Sequence, residues 1–182
     1  MTISVPASRG FFSSVLLLAA VCCLGGCGTT GPTTLTSSDG QFQITVFEGM
    51  SEASDLNDEA DIQAANLFTE MYVVVLSEPK VDFEDDMTLE DYRDLCYPQF
   101  VENLGATMSQ PEQVRTAADD RALQYDIHAT VDKIKIGYLV TFIDTGTHFH
   151  QVLAWTLESK YGEHRPTLQK ISASLKPTSA GS

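Results

Sequence analysis

The sequence is short of basic residues. It has 11 Lys and Arg against 25 Asp and Glu, which gives a formal net charge of −14 at pH 7. A surface with this excess of carboxylates repels the phosphate backbone of DNA and RNA. We therefore expect no nucleic acid among the partners of this protein.

The chain also lacks a hydrophobic run long enough to span a membrane comfortably. Its longest apolar stretch, residues 11–25, is too short and too rich in small residues near its end for a hydrocarbon core about 30 Å thick. Such a stretch, preceded by Arg9, is typical of the hydrophobic region of a signal peptide. An ordinary signal peptide and a short anchor helix remain alternatives to the more specific prediction that follows.

The apolar stretch ends in Leu24-Gly25-Gly26-Cys27, which looks like a lipobox. The two small residues let a peptidase approach the backbone, and the Cys27 thiol supplies the sulfur that takes a diacylglycerol. The sequence therefore predicts a lipoprotein signal peptide at residues 1–26 and a lipidated Cys27 as the new N-terminus. Several acyl chains would hold the protein firmly on a membrane, since each buried CH₂ contributes about 0.8 kcal/mol.

Cysteine is scarce, with four in the chain. Two would leave with the signal peptide and Cys27 would be acylated, so Cys96 is the one thiol left and no internal disulfide is possible. Residues 28–40 are rich in Thr, Ser, Gly and Pro, which predicts a flexible tether after Cys27, and residues 177–182 predict a disordered tail. One domain, at residues 41–176, remains.

Hydrophobic periodicity predicts the elements of this domain. A helical pattern from Leu89 to Leu104 begins with Thr88 as N-cap and Asp91 three residues later, and ends at Gly105. A second helix is predicted to begin at Pro166. Alternating apolar and polar residues predict strands, the last three as an antiparallel meander, at 42–46, 61–67, 71–77, 121–131, 134–143 and 147–158.

Five segments, together with this order of elements, carry a resemblance to a known family; they are residues 56–61, 72–78, 87–92, 122–125 and 151–156. They resemble the PsbP-like α/β/α sandwich, a superfamily that includes photosystem II extrinsic proteins, DcrB-type bacterial lipoproteins and a yeast nuclear import factor that binds Ran. The resemblance implies an α+β domain in which an antiparallel sheet of about six or seven strands is flanked by helices. It also implies a binding role, because the superfamily shares no catalytic constellation.

Two groups of residues are candidate metal ligands. His148 and His150 lie two apart on one predicted strand and project from the same face. His128 and Asp126 on an earlier strand are the candidates to complete a Zn or Cu site with them. The alternative to a metal site is that these histidines lie on a polar strand face or pack under a helix. Two acidic stretches are candidates for a Ca²⁺ site, and the alternative is that they are solvated, as charge runs usually are. They are Glu52, Asp55, Asp58, Glu59 and Asp61, and Asp82, Glu84, Asp85 and Asp86.

The sequence offers little for catalysis. Cys96 falls on the apolar stripe of its helix, where a thiol is a small hydrophobe, and neither a Gly-x-Ser-x-Gly elbow nor a Gly-rich phosphate loop is present. We therefore predict that the protein is not an enzyme. Trp155 and Tyr138 are candidates for a partner surface, in a groove between sheet and helix, although such residues more often belong to the core.

These observations predict a membrane-tethered lipoprotein of the cell envelope that acts as a non-enzymatic accessory or interaction module. Its expected partners are the membrane, through the lipid on Cys27, and a protein; no other cofactor is expected. Gly28 rather than Asp follows Cys27, which favours the outer membrane if the host has one. The alternative is a lipoprotein that binds a metal or small ligand at the His148/His150 face or in the acidic loops.

Overall fold

A computed structural model describes residues 31–47 and 49–178. The predicted signal peptide and Cys27 lie outside the described residues and stay predictions. Helix α1 is Leu89–Leu104, α2 is Glu158–Ala173, and Lys80–Asp82 form a short 3-10 helix. The strands are β1 Thr33–Thr36, β2 Phe42–Val46, β3 Ser51–Glu52, β4 Ile62–Asn66, β5 Met71–Pro79, β6 Thr107–Met108, β7 Glu112–Arg115, β8 Arg121–Val131, β9 Ile134–Asp144, β10 His148–Leu157 and β11 Lys176–Pro177.

The strands form two antiparallel sheets. The large sheet has the order β3-β4-β5-β10-β9-β8-β6, and β7 pairs with β8; the small sheet has the order β1-β2-β11. The expected meander is β8-β9-β10, and the apolar strand β5 lies between β4 and β10, where both of its faces are covered over part of its length. The predicted α+β fold class, with helices flanking an antiparallel sheet, is confirmed. The small sheet is an addition that the sequence did not predict.

Two apolar clusters lie on opposite faces of the large sheet. On one face, Leu168 and Ile171 of α2 pack with inward residues of the sheet and with Phe42 and Ile44 of the small sheet. On the other face, α1 packs its Leu89 and Tyr92 on residues of β8, β9 and β10. The protein is therefore a three-layer sandwich, with α1 above one face and α2 together with the small sheet below the other.

Helix α1 begins where its sequence signal indicates. The Thr88 hydroxyl accepts a hydrogen bond from the Asp91 backbone N–H at 3.2 Å, and the Asp91 carboxylate accepts one from the Thr88 N–H at 3.0 Å. This reciprocal capping box satisfies two donors that a helix start otherwise leaves free. At the other end Gly105 is left-handed, with φ 57°, a conformation that glycine adopts without a steric cost. Both predicted ends of this helix agree with the structure.

The prediction that the second helix begins at Pro166 is wrong. Helix α2 begins at Glu158, directly after β10, and Pro166 lies inside it. Leu157 occupies the N-cap position and its side chain makes no capping hydrogen bond, so the sequence carries no start signal there. The buried residues Tyr161 and His164 precede Pro166 and hold this first half of the helix against the sheet.

The predicted tether and tail both extend too far into the chain. Within residues 27–40, Thr33–Thr36 form strand β1, and Leu35 packs against the core. The buried Ser37 hydroxyl then accepts a hydrogen bond from the Phe42 N–H at 3.0 Å. Within residues 177–182, the Thr178 N–H donates to the Gln41 carbonyl oxygen at 2.8 Å. The ordered domain therefore includes residues 33–40 and 177–178, because pairing with β2 organises segments that are polar in composition.

Candidate functional site

Helix α1 covers only part of its face of the large sheet. It contacts β8 and β9, and its Tyr92 stacks on Phe149 near the start of β10, with ring centroids 4.6 Å apart. Farther along β10, Leu153 and Trp155 point to the same face, because alternate residues of a strand share a face. Both are half-buried, so this end of the face carries apolar side chains that α1 leaves open to solvent.

A groove of about 670 Å³ lies over these uncovered side chains. Its floor comes from β5, β9 and β10 and includes Leu153 and Trp155. One wall is α1, where Leu95 is 54% exposed although it belongs to an apolar stripe. The other wall is the loop before β4, which contributes Leu56 and Glu59. The volume falls within the 300–1,000 Å³ that is usual for ligand-binding clefts.

Three aromatic rings form a row across neighbouring strands at one end of this face. The register places Tyr72 and Tyr138 on either side of Trp155. Tyr72 stacks on Trp155 with centroids 5.4 Å apart, and Tyr138 lies at 5.8 Å with a tilt of 35°. Burial raises the pKa of Tyr138. The structure thus brings the two candidate partner residues, Trp155 and Tyr138, together in the groove, and Tyr72 fixes the orientation of the tryptophan.

A chain of polar contacts crosses the groove beside α1. The Tyr92 hydroxyl donates to Glu78, and Gln151 donates to the Tyr92 oxygen at 3.0 Å and to the Cys96 sulfur at 3.4 Å. Tyr92 is buried, and this burial, together with the hydrogen bond to Glu78, raises its pKa. These contacts link α1 to β5 and β10 along one side of the groove.

Cys96 lies in the wall of the groove and is 8% exposed. Burial raises the pKa of its thiol to about 11, with a contribution from the charge of Glu78. The thiolate is the nucleophilic form of cysteine, so this thiol is poorly suited to attack a substrate at neutral pH.

The histidine pair packs as part of the protein interior. His150 is fully buried, and its ring nitrogens lie 2.9 Å from the Ser77 hydroxyl and 3.0 Å from the Thr145 hydroxyl. His148 lies beside it with centroids 6.0 Å apart, and both rings contact the edge of Phe42. Both nitrogens of His150 thus have hydroxyl partners within the fold, which supports the structural interpretation of this residue.

The four proposed Zn or Cu ligands do not come together. His128 pairs with Gly137 and His150 with Ile143, six residues farther along β9, which is about 20 Å in a strand. His128 instead lies 2.7 Å from Glu158. Across the described ranges, no three His, Cys, Asp or Glu side chains are arranged to hold a metal ion.

Asp126 has a structural role of its own. Its carboxylate accepts hydrogen bonds from Arg165 at 2.6 and 3.0 Å and lies 2.5 Å from the Tyr161 hydroxyl. Burial would raise the pKa of Asp126, but the hydrogen bonds from Arg165 and Tyr161 prevail and lower it. Asp126 therefore joins α2 to β8 as an ionised carboxylate.

The acidic stretches do not form a cation site either. The first loop is organised by Gln63, whose side-chain oxygen accepts from the N–H groups of Leu56 and Asn57 at 2.8 and 3.1 Å, and whose amide donates back to the Asn57 carbonyl. The second stretch lies in the 3-10 turn and the loop before α1. Among the residues that the structure describes, neither stretch contributes to a group of three side chains that could hold a metal ion.

Sequence reasoning missed most of the groove. Alternation along its strand places Leu153 on an apolar face, and helical spacing places Leu95 beside an apolar stripe. Both patterns fit a fully buried position equally well. Leu56 lies in a loop, where periodicity gives no signal. These residues stay accessible because of where α1 crosses the sheet. The local sequence pattern does not predict that crossing point.

Comparison with solved structures identifies the fold as PsbP-like, as the sequence resemblance implied. Cyanobacterial PsbP (CyanoP) from Synechocystis superposes with a TM-score of 0.59 at 13% identity, covering 85% of this chain and 96% of that one. LpqN of Mycobacterium tuberculosis, involved in cell envelope biogenesis, gives 0.58 at 12%, covering 81% and 90%. The Saccharomyces cerevisiae Ran-binding protein Mog1p gives 0.55 at 12%, covering 81% and 95%.

At these identities the likeness extends to the fold alone. No protein-family model and no curated protein matches the sequence. In the part of the chain that the structure describes, neither helix combines the length and the apolar composition needed to cross a membrane.

Proposed function

We propose that this protein is a lipid-anchored, non-enzymatic interaction module of the cell envelope, which binds a protein partner through the groove between α1 and the large sheet. The observation that carries the proposal is the exposed apolar side of this groove, formed by Leu95, Leu153 and Trp155. Interface centres are enriched in aromatic residues that are already held rigidly, as Trp155 is by Tyr72 and Tyr138.

Other observations support the non-enzymatic part. The one thiol in the groove is held in its protonated form by burial. The buried histidine has both nitrogens engaged by hydroxyls, so it lacks a free nitrogen with which to accept a proton from a substrate. The fold likeness to LpqN, whose described role is in cell envelope biogenesis, supports the envelope assignment.

The membrane anchor is tested at Cys27. Fatty-acid labelling of cells should mark the protein, and a Cys27→Ser variant should lose both the label and its place in the membrane fraction, because the thioether has no sulfur on which to form. Cys96→Ser is the matched control and should stay labelled. Equal labelling of Cys27→Ser and the parent would overturn the anchor.

The groove is tested by a photo-crosslinking amino acid placed at Leu95, which is exposed on the groove wall. We expect the lipidated protein to give a discrete crosslinked product in intact cells. The matched position is Glu163, which is exposed on α2 at the opposite face. A product of equal yield at both positions, or at neither, would contradict a partner site in the groove.

A further inference from the structure

The groove contains negative charge that the fold leaves uncompensated. Glu59 and Glu78 both line it, and no Lys, Arg or His is found among its described lining residues. Neither carboxylate takes part in an ion pair within the part of the chain described here. The neighbouring cation Lys80 is instead bonded to Asp144 at 2.9 Å.

A partner that covers this groove must therefore deal with two carboxylates. Removing an ionised carboxylate from water is unfavourable unless an opposite charge replaces the lost hydration. One oxygen of Glu78 accepts the Tyr92 hydrogen bond, which leaves the other available to an incoming donor. A neutral or acidic ligand would leave both charges without a counterpart, so the groove favours a cationic one.

The apolar floor sets a second requirement. The floor runs along β10 from Gln151 to Trp155, a length of about 13 Å in a strand, which suits a few residues of extended or helical chain. Leu56, in the loop before β4, and Leu95, on α1, add apolar side chains to its lining.

Together these features select one occupant. We propose, on the basis of the partner-binding function above, that the groove binds a protein segment in which one or two Lys or Arg residues flank an apolar side chain. The apolar side chain packs on Leu153 and Trp155, and the cationic groups pair with Glu78 and Glu59. The net charge of −14 strengthens the selection by attracting basic segments at long range.

The test uses three fluorescent heptapeptides with the purified protein. The first has an apolar centre flanked by lysines, the second replaces the lysines with glutamates, and the third replaces the apolar residues with serines. We expect the first to bind at low ionic strength, with an affinity that falls as salt rises, and the other two to bind at least about tenfold more weakly.

The groove carboxylates are tested with isosteric variants. Glu59→Gln and Glu78→Gln should together weaken the lysine peptide at least about tenfold and flatten its salt dependence. A glutamine at position 78 still accepts the Tyr92 hydrogen bond, so the fold is kept, and near-ultraviolet circular dichroism checks this. Glu163→Gln removes one equal charge on the opposite face and should leave binding unchanged.

The outcomes separate this inference from the proposed function. Two results would show that the cationic specificity is wrong while the groove stays a partner site. In one, Trp155→Ala abolishes binding but the two glutamine substitutions have no effect. In the other, the glutamate peptide binds as well as the lysine peptide. If spermidine binds and none of the peptides does, the protein-segment occupant is wrong. Failure of the crosslinking at Leu95 would instead remove the partner site itself.

Discussion

A Gly137→Ala variant is expected to be destabilised by about 1–3 kcal/mol, as overpacking a filled core usually costs. Gly137 lies on β9 directly beneath Tyr161 of α2, and a Cβ there would lie 2.5 Å from two atoms of the tyrosine ring. The ring has little freedom to move, since its hydroxyl is 2.5 Å from Asp126 and 3.0 Å from the Tyr138 carbonyl oxygen. The added methyl must therefore displace helix α2 from the sheet or break this contact.

Gly162→Ala is the matched control for that substitution. Gly162 lies in α2 one residue after Tyr161, and a Cβ at this position would meet no atom within 4 Å beyond its chain neighbours and the backbone of its own helix. Alanine should therefore stabilise the helix by up to about 1 kcal/mol, because glycine loses more backbone freedom on folding. Urea unfolding curves should shift in opposite directions for the two variants. A similar shift for both would show that the packing against Tyr161 is not limiting.

Acidification should begin to destabilise the protein near pH 6.5, which is above the pH range in which carboxylates titrate. Burial, with a smaller contribution from the nearby His148, lowers the pKa of His150 from 6.5 to about 3, while Asp144 opposes the shift. Between these two values the unfolded chain binds the proton and the folded chain does not. The free energy of unfolding should therefore fall by about 1 kcal/mol per pH unit as the pH drops from 6.5 toward 3.

Urea unfolding at pH 7 and pH 5 measures this effect. His150→Gln should remove most of the difference between the two pH values, since glutamine has no proton to gain, although the variant is less stable at pH 7. His148→Gln is the matched control, because the neighbouring ring is only half-buried, and it should keep the dependence. The lowered pKa of Asp126 acts at lower pH, below its ordinary value of 3.8. A pH dependence unchanged in His150→Gln would contradict the assignment to His150.

The order of the elements was predictable because each carries a local signal. The three long strands of the meander, the apolar strand β5 and the capped helix α1 follow from period-2 patterns, a helical stripe and the Thr88–Asp91 pair. Strand β1 and the true start of α2 were not predictable in this way. The first is a threonine-rich segment ordered by pairing with β2, and the second follows Leu157 without a capping side chain.

The candidate sites were also hard to predict, because they depend on contacts between residues that are distant in the sequence. Alternation correctly placed His148 and His150 on one face, and His128 shares that face through its register with β9. A shared face does not bring the residues close together, however, because His128 and His150 pair with β9 at positions six residues apart. The groove likewise depends on where α1 crosses the sheet. Tyr92 of α1 contacts Phe149 and Gln151 at this crossing, and both are distant from it in the sequence.

The place of the small sheet in the fold would orient the molecule on a membrane if Cys27 is acylated as proposed. Since β1 is ordered from Thr33, only six peptide units join it to Cys27, a span of at most about 20 Å. The small sheet packs on the α2 face, whereas the groove opens on the α1 face. With acyl chains on Cys27, the protein would rest with its α2 side toward the lipid and its groove turned outward, within reach of molecules that approach from the aqueous space.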